Sequence, residues 1–551
     1  MLQQNLIEDI ANSINSHWHL PAFSNYGAKP YTYGQLAHRI KFWHFIFKKL
    51  EIKPETKIAL VGRNSGEWAE IYLSVISYGG VVIPLLPDFT AENIHHIINH
   101  SESSLLFAAD SIYENLDTNK VKGLRAVFSL SDFSLLYDND KSKERYNQGK
   151  DEFQNSVADI ITEGEFQLPS IDNEQLVEIM YTSGTTGFSK GVMLNLKSLS
   201  ANIVFAQENM PLKAGDRVLS FLPLAHAYAC AFEFLFPVSI GAHVSFLTKL
   251  PTPQLLLKAF EEVKPRLIFL VPLLLEKIYK NKIKPQLETS KVKLLTQLPG
   301  LNQLVYKKIK SNLMQAFGGN FIEVVIGGAA LNHEVEDLLK KIEFPYTVGY
   351  GMTEGGPLIS YDGWQTCKKY SVGKVINFLN IRIESDDPEN KAGEIMVKGE
   401  NVMQGYYKNE DATNTTLEKG GWLHTGDLGV IDKDGYIFIR GRSKNMILGP
   451  SGQNIYPEEI EAQLNNMNCI SESLVMESNG KLVALAYPDF EKADALNLNE
   501  KGLQEKMNEN LKLINKELPA YSKLYQLKLF PEEFEKTPTK KIKRYLYSSH
   551  F

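Results

Sequence analysis

The sequence predicts an α/β protein: a large N-terminal lobe of mixed, mostly parallel sheets with crossover helices, plus a small mobile α+β C-terminal domain. Short apolar runs alternating with helical stretches carry the first part of that expectation, and a change of texture near residues 435–442 carries the second. In order, residues 57–62 (Lys-Ile-Ala-Leu-Val-Gly) have the length and apolarity of a buried strand, 67–78 read as helix, and 79–84 (Gly-Gly-Val-Val-Ile-Pro) as the next strand. Alternation of this kind indicates parallel strands covered on both faces. The rhythm returns at 266–271, 321–326 and 346–348. Beyond 442 the order is strand (446–448), helix (457–464), hairpin, helix (503–517), strand (525–530) and a basic tail. The hairpin rests on Asn479-Gly480 between two apolar runs, the strongest short-range hairpin signal. This reading puts one domain at 1–440 and a second at 441–551, joined by the short hinge 441–445.

Composition excludes several classes. The chain has 551 residues, 43% hydrophobic and 23% charged, as in an ordinary soluble globular protein. A net charge of −6 argues against nucleic acid as the main partner. Cys230, Cys367 and Cys469 are far apart and form no CxxC pair, so neither a disulfide framework nor a zinc site is indicated, and a reducing cytoplasm fits. The first residues show no basic region followed by an apolar stretch. The most apolar stretch, 218–247, is interrupted by Pro223, His226, Glu233, Pro237 and His243. It suits a buried, aromatic-rich pocket wall better than a bilayer span.

The segment 181–191 reads Tyr-Thr-Ser-Gly-Thr-Thr-Gly-Phe-Ser-Lys-Gly. Gly184, Gly187 and Gly191 let successive N–H groups converge on an anion. The hydroxyls of Thr182, Ser183, Thr185 and Thr186 add donors, and Lys190 adds a mobile charge. This has the make-up of a triphosphate cradle launched from a strand. It is not a Walker A loop, because Ser189 precedes the lysine and Gly191 follows it.

Four other constellations stand out, each with a plainer reading beside it. His226 lies in the apolar, aromatic run 222–228, where a satisfied core histidine is the simpler alternative. Gly327-Gly328-Ala329-Ala330 follows a strand, and could admit a flat ring or simply turn the chain. The segment 349–356 (Gly-Tyr-Gly-Met-Thr-Glu-Gly-Gly) offers Tyr350 for stacking and Glu354 as a hard oxygen ligand for magnesium. Asp427, ending the run 422–427, could grip two ribose hydroxyls or serve as a turn residue.

Taken together and in order, these segments resemble the adenylate-forming superfamily of acyl-CoA synthetases, peptide-synthetase adenylation domains and beetle luciferases. The resemblance runs from residue 31 to Arg544. Within the superfamily, residues 222–226, 271–279 and 350–354 look most like long-chain fatty acyl-CoA synthetases. It implies that Thr182, Ser183, Gly184, Thr185, Thr186, Gly187 and Lys190 wrap the β- and γ-phosphates of ATP. Gly328, Ala329 and Tyr350, with Gly351, Met352 and Thr353 beside them, would contribute to the adenine pocket. Asp427 and Arg442 would hold the ribose, while Thr182 and Glu354 serve Mg²⁺. His226 would sit by the substrate carboxylate, Lys541 would be the mobile catalytic lysine, and Lys444 the hinge residue. Three positions depart from the pattern: Ser189 replaces a proline, Lys540 replaces the glycine before the catalytic lysine and so competes with Lys541, and Asn445 replaces a frequent aspartate.

The implied reaction activates a fatty acid as acyl-AMP and passes it to CoA, releasing AMP and diphosphate. An acyl carrier protein is the alternative acceptor, and a non-catalytic nucleotide sensor the alternative class. A cytoplasmic protein with at most peripheral contact on the inner membrane face is expected.

Overall fold

The computed structural model describes residues 2–156, 161–182, 190–298, 300–448, 453–537 and 542–547. The chain divides into two compact units. The first comprises Met1–Leu331, Asp337–Asn380 and Val397–Leu423, and the second Asn332–Glu336, Ile381–Met396 and His424–Phe551.

The first unit is built around an eight-stranded sheet. Its parallel centre contains Lys57–Val61, Val81–Leu85, Leu105–Ala108 and Ala126–Ser129, with Leu176–Thr182 parallel to Val81–Leu85. These strands are almost uniformly buried, as expected where helices cover both faces. The crossover helix Gly66–Tyr78 starts at Ser65, whose side chain accepts from the Trp68 N–H, and stops at Gly79 in the left-handed region (φ 87°). Antiparallel strands close the edges. On one side Leu176–Thr182 turns back as Lys190–Asn195, and Gly405–Tyr406 pairs with the returning strand.

A smaller parallel sheet, Leu267–Leu270, Glu323–Ile326 and Tyr346–Val348, lies in the same unit. Its three carboxyl ends run directly into residues 271, 327 and 349. The run 218–247 becomes strand Arg217–Ser220, a short helix, a π-helical turn Cys230–Leu235, a further helical turn and strand His243–Phe246. Among the described residues no helix is long and apolar enough to cross a membrane.

In the second unit, the sheet that ends in Leu423–Ile431 and Ile437–Arg442 precedes the α+β part. Strands Ile470–Ser478 and Lys481–Pro488 form the hairpin expected at Asn479-Gly480, and both turn residues have positive φ (53° and 73°). Gln526–Leu529 adds a parallel third strand. Helices Pro457–Leu464 and Glu500–Glu517 cover the sheet through Ile460, Leu464, Leu503, Met507 and Ile514.

Candidate active site

The strand pair Leu176–Thr182 and Lys190–Asn195 brackets the glycine- and hydroxyl-rich segment, with Thr182 directly opposite Lys190. Ser183, Gly184, Thr185, Thr186, Gly187 and Ser189 lie outside the described residues. The returning strand is held at its outer edge, where Tyr407 N–H donates to Gly191 O at 2.7 Å and Gln404 N–H to Met193 O at 2.9 Å. This places Tyr406 beside Lys190, whose Nζ sits 4.7 Å from the ring centroid. The Tyr406 hydroxyl in turn donates to Glu354 Oε1 at 2.8 Å. Burial, with the Glu354 charge adding to it, raises the phenol's pKa, so Tyr406 stays a neutral donor. Three consecutive contacts therefore connect Thr182, Lys190, Tyr406 and Glu354.

Glu354 sits in a short 3₁₀ turn, Thr353–Gly355, on a loop fixed from behind by two buried asparagines. Asn202 donates to Gly356 O and accepts from Leu358 N–H at 2.9 Å. Asn401 donates to Gly355 O and Leu358 O, both at 2.7 Å. Met403 N–H donates to Glu354 O at 2.9 Å. Gly356 has φ 71°, and a Cβ there would fall 2.2 Å from Asn401 O, so no other residue fits without moving the chain.

The three parallel strand ends supply the second part of the site. Gly349 N–H donates to Ile326 O at 2.9 Å and Gly327 N–H to Leu270 O at 3.0 Å, which brings the segments at 271, 327–329 and 349–353 side by side. Gly328 and Ala329 are exposed there, and Tyr350 is half-buried. Carboxyl ends of parallel strands are where α/β folds bind ligands. The run 222–235 packs onto the same edge. Tyr228 donates to Val325 O at 3.0 Å, its ring meets that of Phe269 at 6.0 Å, and a Cβ on Gly327 would touch it at 3.1 Å. The expected aromatic wall is thus present, against the strand ends rather than across a bilayer. His226 is half-buried at the start of the short helix Ala227–Ala229, with its N–H on Pro223 O at 2.9 Å. Asn64 braces that loop by donating to Ser220 Oγ and Leu222 O and accepting from Leu224 N–H.

In the second unit Asp427 and Arg442 face each other on neighbouring strands. Arg442 Nε lies 2.7 Å from Asp427 Oδ1, and the carboxylate is buried while the guanidinium is partly exposed. Lys444 is exposed in the turn that follows. Asn445 donates to Glu458 Oε1 at 2.5 Å, tying the turn to helix Pro457–Leu464. An aspartate at 445 would meet a like charge instead, which gives this departure a local reason. Lys540 and Lys541 lie outside the described residues, but the chain on either side is anchored. Lys536 bridges Ile542, Lys543 N–H donates to Glu535 O at 2.9 Å, and Arg544 pairs with Glu461. Burial pushes the Glu461 carboxyl up to about 7, against the lowering effect of Arg544.

Tyr406, Asn202, Asn401 and Asn64 escaped the sequence reading. None stands in a glycine-rich or charged motif, and each acts on residues far away in the chain. The donor set suits a hard cation. A half-buried carboxylate oriented by one phenol matches magnesium's habit of taking one or two carboxylates beside substrate phosphates.

Residues 11–407 match the AMP-binding enzyme family. The chain is 26% identical to the long-chain-fatty-acid–CoA ligase FadD15 of Mycobacterium bovis, over 94% of this chain and 90% of that protein. It is 28% identical to long chain acyl-CoA synthetase 4 of Arabidopsis thaliana, over 90% and 82%. Among solved structures, the anthranilate CoA ligase AuaEII with anthranoyl-AMP superposes with a TM-score of 0.79 at 17% identity, covering 100% of this chain and 98% of that one. A Mycobacterium tuberculosis fatty acyl CoA synthetase superposes at 0.66 with 20% identity, each chain covered to 99%. These structures share the fold of a large α/β lobe and a smaller C-terminal part. With the family match spanning most of the chain, the protein belongs to the AMP-binding enzyme family.

Proposed function

We propose that the protein is an AMP-forming acid–thiol ligase that activates a fatty acid and transfers it to CoA. The observation that carries this is the contact chain from Thr182 through Lys190 and Tyr406 to Glu354, beside the open ends of a parallel sheet. A fatty acid is supported by the names of the sequence relatives and by the aromatic wall around Tyr228, Phe232 and Phe269.

In the first step a carboxylate oxygen attacks the α-phosphorus of ATP and the bond to diphosphate breaks, leaving acyl-AMP. In the second a thiolate attacks the acyl carbon and AMP departs. Neither step needs a protein nucleophile. Catalysis is positioning and charge stabilisation. Residues 182–187 and Lys190 would hold the phosphates, while Gly328, Ala329 and residues 350–353 hold adenine. Asp427 and Arg442 would hold the ribose, and His226 would orient the carboxylate. Glu354 and Thr182 would hold Mg²⁺, whose charge offsets that of the phosphoryl oxygens. Lys541 would stabilise the first transition state. Residues 441–551 would rotate about Lys444 between the steps, since one site serves two reactions. We place the protein in the cytoplasm, with at most peripheral contact on the inner membrane face. An acyl carrier protein, with the same phosphopantetheine thiol, is the alternative acceptor.

The test is diphosphate release across fatty acids of increasing length and several aromatic acids, with CoA, with carrier protein or with neither. The expected result is acid-dependent release, with thioester made from CoA and a preference for fatty acids. Release that ignores the added acid would contradict the proposal.

A further inference from the structure

Residues 272–316 contain nine lysines against two acids, Glu276 and Glu288, in a chain whose net charge is −6. They form a run of successive helical pieces, ending in Ser290–Gln297 and Leu301–Ala316. Leu275, Ile309 and Leu313 are buried and seat the run on the first unit. Leu273, Leu294, Leu298, Leu301 and Leu304 point outward, with 39–63% of their surface in solvent. Among the described residues, the whole remainder of the chain exposes five leucines. Lys277, Lys282, Lys293, Lys307 and Lys308 are exposed in the same stretch. On Leu301–Ala316, Lys307 and Lys308 follow Leu304 at i+3 and i+4, so apolar and cationic side chains share one face.

Wetted leucines at this density mark an interaction surface. Exposed leucines and lysines are interspersed along successive helices, and the charge is almost wholly of one sign. A fluid, negatively charged, apolar-cored partner matches that pattern: leucines enter the headgroup–acyl boundary while lysine stems reach phosphates. We propose that helices 272–316 dock the protein peripherally on an anionic lipid bilayer. This names the surface for the membrane contact included in the proposed function and rests on that reading only there, because none of these residues belongs to the catalytic set.

The full-length protein is mixed with phosphatidylcholine vesicles with or without phosphatidylglycerol, and the bound fraction is measured by flotation at several salt concentrations. Binding is expected to need phosphatidylglycerol and to weaken with salt. Replacing Lys282, Lys293 and Lys307 by Gln should lower partitioning by roughly 100-fold, from the attraction typical of a lysine near such a surface. Replacing Leu294, Leu298 and Leu304 by Ser should cost a comparable factor, while both variants retain wild-type diphosphate release with a water-soluble acid. Three results would overturn the proposal: wild-type protein indifferent to phosphatidylglycerol, variants that bind like wild type, or leucine-dependent dimers or carrier-protein complexes formed without lipid binding. Absent diphosphate release alongside intact vesicle binding would reject the enzymatic reading alone.

Discussion

Tyr406 donates its hydroxyl hydrogen to Glu354 Oε1 at 2.8 Å. The same ring receives Lys190 Nζ on its face, so one side chain joins the proposed magnesium ligand to the end of the phosphate-binding segment. Tyr406→Phe keeps the ring and removes the hydrogen bond. A bond to a charged group is worth about 1.5–3 kcal/mol, so kcat/KM for Mg·ATP should fall by roughly 10- to 100-fold, with the loss concentrated at low magnesium. Steady-state rates across a magnesium series check this. An unchanged magnesium dependence would leave Tyr406 a packing residue.

Glu354→Gln keeps the shape and removes the charge. Activity should collapse and recover partly at raised magnesium, while stability changes by less than about 2 kcal/mol. A larger loss of stability in denaturant titrations would make Glu354 a structural group instead.

Asn202→Ala leaves Gly356 O and Leu358 N–H without their buried partner. Orphaned buried groups cost about 1–3 kcal/mol each, so a stability loss of roughly 2–6 kcal/mol is expected, together with a raised KM for ATP. Asn401→Ala should act the same way, and the double variant should be less than additive, because both clamp one loop. Denaturant midpoints and ATP kinetics measured together separate this from a loss of stability alone.

Glu178 carries a pH prediction. It is fully buried on the strand that leads into the phosphate-binding segment, accepts from Tyr72 at 3.0 Å, and lies near Cys230. Burial pushes its carboxyl from 4.5 up to about 8, with the Tyr72 hydrogen bond opposing. The folded state therefore holds the proton more tightly than the unfolded chain. The stabilisation is full below the unfolded value of 4.5 and is lost as pH rises through 8. Glu178→Gln removes that titration. Its stability relative to wild type should rise with pH between those values, by on the order of 5 kcal/mol. Glu70, Glu323 and Glu461, each raised to about 7, contribute the same sign to both proteins and cancel in the difference. A difference that does not vary with pH would show that Glu178 stays ionised.

Legibility in the sequence follows the range of the interaction. The hairpin at Asn479-Gly480 was readable because two adjacent residues alone must adopt positive φ. The buried strands at 57–61 and 323–326 were readable because burial on both faces leaves a short apolar run, 58–61 in one and 324–326 in the other. Glycines, hydroxyls and Lys190 announce phosphate binding because they are close in sequence. Tyr406 and Glu354 are 52 residues apart, and Asn202 and Gly356 are 154 apart. No periodicity links such pairs, since they meet through the edge strand Gly405–Tyr406 and the packing of helix Leu196–Asn209. The sheet ending in Ile437–Arg442 was missed for a related reason. Its strands alternate exposed and buried residues irregularly, so no clean period of two announces them.

The central claim is attack by a carboxylate on the α-phosphorus of ATP. It is tested by incubating the enzyme with ATP, magnesium, CoA and a fatty acid labelled with ¹⁸O in its carboxyl group, then weighing the products. One ¹⁸O should appear in AMP for each acyl-CoA formed, and none in diphosphate. Label in diphosphate or inorganic phosphate, or unlabelled AMP accompanying acyl-CoA, would contradict the account.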